Sequence, residues 1–241
     1  VFFTKLFNTY GQPHGPRKPP QTNDDGPIET LSLRSIARIG EFLRYPKLHL
    51  MEMASFYRQL LVDCRKVRLR LDQLTELTLQ LQNPLQSYPI VKQHTAYQAA
   101  YGMANTFALI IGSILRIFDP SDYALVEDSE RISEDVMELA ENASQYRPVG
   151  SGYMPVCLIA AWAATYGTPK QAKVENTLQD WQSDFKEVKW MKMAIWLKRT
   201  LDDLRSKLAI SQLEISLVDF YDTTKDVHHA QGAKIEDMGA C

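Results

Sequence analysis

Met53, Tyr57, Leu60, Cys64, Val67, Leu71, Leu74, Thr78 and Leu81 follow one another in alternating steps of four and three. Steps of three and four return side chains to one side of an α-helix, whereas a strand needs steps of two. No proline or glycine falls between Lys47 and Gln82, and Asn83-Pro84 closes the run. The repeat predicts a helix of roughly 50 Å at about 1.5 Å per residue. So long an apolar stripe has to be covered, by antiparallel neighbours in a bundle or by a second copy in a coiled-coil homodimer. The bundle is the expectation.

The rest of the chain is compatible with such a rod. Leu33, Ile36, Ile39 and Leu43 trace one face of a helix that starts near Leu31 and stops at Pro46. A helix from Pro89 to Phe118, with proline in its first turn, is rich in small residues (Ala96, Ala99, Ala100, Gly102, Ala104, Ala108, Gly112 and Ser113). Small side chains let backbones approach, so this helix is expected at the centre. Ser121 is the expected cap of a helix to about Ser144 with Leu125, Ile132, Val136, Leu139 and Ala143 inward. YRPVGSGY, 146–153, reads as a loop, and Pro155 restarts a helix that runs through Tyr166 to Gly167. Thr168-Pro169 opens another with Val174, Leu178, Trp181 and Phe185 inward, and a last helix spans about Val188 to Ala209. Residues 211–221 form a short apolar element of either type. No alternating run argues for a sheet, so the fold class is all-α: a multi-helix bundle with one very long helix and a central small-residue-rich one. Five of the twelve prolines fall within 8–27. Residues 1–27 therefore read as an extended segment, 28–222 as one helical domain and 223–241 as a mobile tail.

A net charge of −2 and a pI near 6.2 give no broad attraction to nucleic acid or anionic lipid. Arg65, Lys66, Arg68 and Arg70 cluster at helical spacing and read as a solvated face. The three cysteines, Cys64, Cys157 and Cys241, lack ligand spacing, and their odd number argues against a secreted disulfide framework. The apolar stretch Met103–Phe118 is interrupted by polar residues and short of the roughly 20 residues of a membrane span. These features point to a reducing compartment, nucleus or cytoplasm, without membrane association. Val1 in place of methionine suggests that the true start lies upstream.

Chemistry-bearing patterns are sparse. No Glu-x-x-His pair, phosphate loop or G-x-S-x-G elbow occurs, and His228-His229 reads as solvated, so no metal or cofactor is expected. Asp202-Asp203 lacks the further acid of a diphosphate-binding helix, since position 206 is Ser206. A cysteine nucleophile would need a histidine, and nothing selects Cys157 with His94. More telling, His94, Tyr97 and Tyr101 share one face of the small-residue helix. They could line a pocket for a planar ligand, or sit at a helix seam with their polar tips satisfied. Arg147 could pin its loop to carbonyls or hold an acidic ligand beside the following helix N-terminus.

Within Ala143–Leu197, the string ASQYRPVGSGYMPVCLIAAWAA is followed by a glycine stop, then LQDWQSDF and WMKMAIWL. This pattern resembles the C-terminal part of the regulatory region of fungal zinc-cluster transcription factors. The matching landmarks include Tyr146, Arg147, Pro148, Gly150, Tyr153, Pro155, Trp162, Phe185, Trp190 and Trp196, and the match covers roughly a quarter of the chain. In that family a six-cysteine binuclear zinc cluster binds DNA, and the helical region regulates activity through ligands, partners or intramolecular contacts. Three scattered cysteines cannot build that cluster, so this chain is not expected to bind DNA directly.

The resemblance implies an effector-responsive domain that binds a small molecule or protein partner. His94, Tyr97, Tyr101, Tyr146, Arg147 and Trp162 are its candidate ligand-binding residues. Two other roles stay open. One is a stand-alone enzyme of fungal secondary metabolism, with His94 or Tyr101 as acid or base and Arg147 holding an anionic substrate group. The other is a dimerisation module built on the long helix.

Overall fold

The computed structural model describes residues 28–80 and 84–209. Among the described residues every regular element is a helix. The chain divides into two compact units, at Lys198 and Arg199. The first carries a 3-10 turn Glu29–Leu31 and helices α1 (Leu33–Arg44), α2 (Leu50–Gln80), α3 (Pro84–Phe118), α4 (Tyr123–Ala143), α5 (Met154–Ala164) and α6 (Gln171–Gln182). Residues 190–209 are also helical, and those beyond 198 belong to the second unit. The expected element at 211–221 and the expected segments 1–27 and 223–241 lie outside the described residues.

The 31-residue α2 is the expected rod, and Met53, Tyr57, Leu60, Cys64, Val67, Leu71 and Leu74 are all buried. The stripe packs on α3. It is thus covered from within the chain, which leaves it no room for a dimeric coiled coil along the same seam. The first described turn is tied to the same helix: buried Asp63 accepts from the Thr30 hydroxyl at 2.7 Å, the Thr30 amide at 3.3 Å and Gln59 Nε2 at 3.1 Å.

The central place of α3 is also as expected, since α2, α4 and α5 all pack on it. Its Tyr88–Phe118 portion is long and apolar enough to cross a bilayer, but 78% of its most apolar window is buried inside the protein. Gly102 shows what the small residues do. A Cβ there would lie 2.9 Å from Cys157 Sγ, 3.0 Å from Tyr153 and 3.1 Å from Leu139, so α5 can approach only because the side chain is missing.

Several local expectations are corrected. α3 begins at Pro84, and Pro89 lies inside it. Proline has no N–H, so the helical bond from that position is lost. The cap of α4 is Asp122, whose Oδ1 accepts from Ala124 N at 3.0 Å and Leu125 N at 3.4 Å; Ser121 instead donates its hydroxyl to Asp119 at 2.6 Å. A carboxylate at that place adds charge to the capping bond, which favours it over the serine. The buried face of α1 runs through Ile39 and Phe42, while Leu33 and Leu43 are exposed. α6 starts at Gln171, after Thr168 has turned its hydroxyl back to Thr165 O at 2.7 Å. Phe185 lies beyond the end of α6 and stacks edge-on against Trp190. Gly167, at φ +80°, supplies the left-handed conformation that ends the α5 segment.

Candidate functional site

The apolar stripe of α2 changes character at its C-terminal end. Beyond Leu74, α2 lines the seam with Thr75 and Thr78 beside Leu79, and α3 answers with His94, Gln98 and Tyr101 beside Val91. Polar side chains of these sizes do not interdigitate like leucines. A cleft of about 410 Å³ opens there, closed on its third side by Glu138, Leu139 and Asn142 of α4 and by Tyr146 of the following turn.

His94 organises the cleft. It is 3% exposed, and burial pushes its pKa below the ordinary value. The Thr75 hydroxyl spends its only hydrogen on Leu71 O at 2.9 Å, so it must accept from His94 Nε2–H at 3.0 Å. With the neutral ring fixed in that tautomer, Nδ1 carries the lone pair and accepts from the Tyr146 hydroxyl at 3.2 Å. The two rings meet edge to face at 5.9 Å. A continuous chain therefore runs from Tyr146 through His94 and Thr75 to the backbone of α2, and both imidazole nitrogens are occupied.

On the other side Arg68 grips Glu138 with two bonds, of 3.2 and 2.8 Å, and Asp72 with a third, of 3.0 Å. Its guanidinium lies 5.7 Å from the centre of the Tyr101 ring. Burial, then the negative charge of Asp135, pushes the Tyr101 phenol up to about 12, so it stays protonated at neutral pH.

Of the six residues singled out from the sequence, the cleft brings together His94, Tyr101 and Tyr146. Tyr97 is half-buried and does not line it. Arg147, one residue after Tyr146, turns to the C-terminal end of α6. Its Nε donates to Asp184 at 2.6 Å, its Nη1 to the Asp180 carboxylate and its Nη2 to Asp180 O at 3.0 Å, while its face covers Trp181 at 4.6 Å. Arg147 therefore pins its loop, and no substrate-holding role in the cleft is open to it. Trp162 is buried elsewhere, donating Nε1–H to Glu175 at 3.1 Å and stacking edge-on against Tyr166. The enzymatic trio His94, Tyr101 and Arg147 is thus not assembled in one place.

Arg68, read from the sequence as part of a solvated face, also lines the cleft, as do Asp72, Thr75, Gln98 and Glu138, whose part there the sequence did not show. The spacing of Arg68 to Asp72 carried a signal, since four residues on a helix bring side chains together. Glu138 lies 70 residues from Arg68 and carried none. Among the described residues no group of three His, Cys, Asp or Glu side chains could hold a metal ion. Cys64 and Cys157 are free and buried, and burial pushes both thiols up to about 12. They behave as core side chains.

Comparison with family models, with curated proteins and with solved structures gave no match.

Proposed function

We propose that this chain is an effector-responsive helical domain of a fungal transcription regulator, and that its effector is a small molecule bound in the cleft between α2, α3 and α4. One observation carries the proposal. Tyr146 belongs to the loop string that resembles the regulatory regions of those factors, and it reaches into the cleft to hold His94 at 3.2 Å. A ligand that displaces or tightens this bond acts on the loop directly. Arg147 couples the same loop to α6, so the bond bears on how α6 and α5 are held. The mechanism is a population shift: a ligand that binds one loop position better than another moves the equilibrium by the difference in affinity. On this reading the chain acts in the nucleus or cytoplasm, and DNA binding belongs to another polypeptide segment.

The test is native mass spectrometry of the purified protein after incubation with a fungal metabolite extract. The expected result is a retained small molecule that is lost in Tyr146→Phe and His94→Gln variants of unchanged fold. Retention undiminished in both variants would remove the cleft from consideration. Recovery of a chemically converted molecule would favour an enzyme in its place.

A further inference from the structure

We propose that the cleft selects amphipathic organic cations, an ammonium or amidinium head on a flat apolar body, and turns carboxylates away. This deepens the function proposed above and rests on it.

Three hydroxyl hydrogens of the cleft are already spent within the protein. Thr75 gives its hydrogen to Leu71 O at 2.9 Å, Thr78 gives its own to Thr75 O at 2.7 Å, and Tyr146 gives its own to His94. Gln145 Nε2 is turned to Asn142 O at 3.0 Å. The neutral imidazole spends its one N–H on Thr75. Once these donors are committed inward, the Thr75, Thr78 and Tyr146 hydroxyls have only oxygen lone pairs left to offer a ligand. Gln98 adds to this: it is 1% exposed, and its Oε1 has no hydrogen-bond partner among the described residues. A buried acceptor without a donor is costly, and a ligand N–H that meets it recovers that cost.

Charge gives the same answer independently. The cleft is lined by one guanidinium, Arg68, and two carboxylates, Asp72 and Glu138, so with His94 neutral one negative charge is in excess. Arg68 is a poor anion site, because three of its N–H groups already bond the two carboxylates and one face lies toward Tyr101. An incoming anion would have to sit beside both acids. Leu71, Leu79, Val91 and Leu139 supply the apolar surface for the body of the ligand.

Two probes with the same indole body and equal two-carbon arms isolate the charge of the head: tryptamine and indole-3-propionate. Titration of the full chain, followed by amide shifts of Thr75, His94 and Gln98, is expected to show tryptamine binding at least about tenfold tighter. In Glu138→Gln the advantage should shrink by about tenfold, because the excess negative charge is gone while the fold loses only a half-exposed ion pair. Gln98→Leu, which keeps the buried volume, should weaken tryptamine and leave the thermal midpoint no lower. Equal or tighter binding of indole-3-propionate at the cleft overturns the charge assignment and leaves the cleft itself as a ligand site. If neither probe moves those amides at millimolar concentration, the cleft reading falls, and the ligand class with it. Tryptamine shifts confined to other surfaces have the same consequence.

Discussion

His94 shows how much one buried side chain can fix. Its ring is neutral because a charged imidazolium would lose its hydration with no carboxylate bonded to it, and its tautomer is set by a threonine that has no other hydrogen to give. The sign of the resulting pH dependence follows. The unfolded chain protonates this histidine near its ordinary value of 6.5, whereas the folded chain refuses the proton until lower pH. Unfolding therefore takes up a proton as the pH falls below about 6.5, and the stability contributed by neutral His94 is lost progressively toward the depressed native pKa. Urea midpoints measured from about pH 7 down to about pH 5 should decline in the wild type and decline less in His94→Gln, which cannot titrate. Parallel curves would mean that other groups carry the pH dependence. Arg147 is the contrasting case: the sequence left pinning and ligand holding open, and the partners Asp180, Ser183 and Asp184 give it to pinning.

At the scale of elements, the decisive contact is the close approach of α5 to α3 at Gly102. Alanine is normally the better helix residue by about 1 kcal/mol. Here its Cβ would press on Cys157, Tyr153 and Leu139 at 2.9 to 3.1 Å, all of them buried. Gly102→Ala should therefore destabilise by about 1–3 kcal/mol, as overpacking does, and the measured change in unfolding free energy gives the sign directly. A stabilised variant would show that the two helices separate freely. α2 and α4 were legible because their inward residues repeat at helical spacing over many turns. The face of α1 was not: Leu33, Ile36, Ile39, Phe42 and Leu43 on a twelve-residue helix fit more than one face, and contact with the rest of the core selected Ile39 and Phe42.

Across the whole first unit, the α2 stripe is satisfied within one chain. Leu60 is fully buried at its centre. Leu60→Ala should cost about 2–5 kcal/mol through lost contacts and the cavity left behind. Because the stripe needs no second copy, thermal midpoints of both wild type and variant should not vary with protein concentration. A midpoint that rises with concentration would show that association contributes to holding the helices together.

The sequence by itself determined the all-α class, the length of α2, the centrality of α3 and the burial of both described cysteines. Each is dictated by spacing or side-chain size along a single helix, and such information is local. It also placed His94 and Tyr101 on one helical face, for the same reason. Only the tertiary structure decided that Tyr146 joins them while Tyr97, Arg147 and Trp162 do not, and that Arg68 meets Glu138 across 70 residues. Those pairings depend on how helices are rotated and offset against one another. Rotation and offset are set by the summed packing of the core, which no short stretch of sequence encodes.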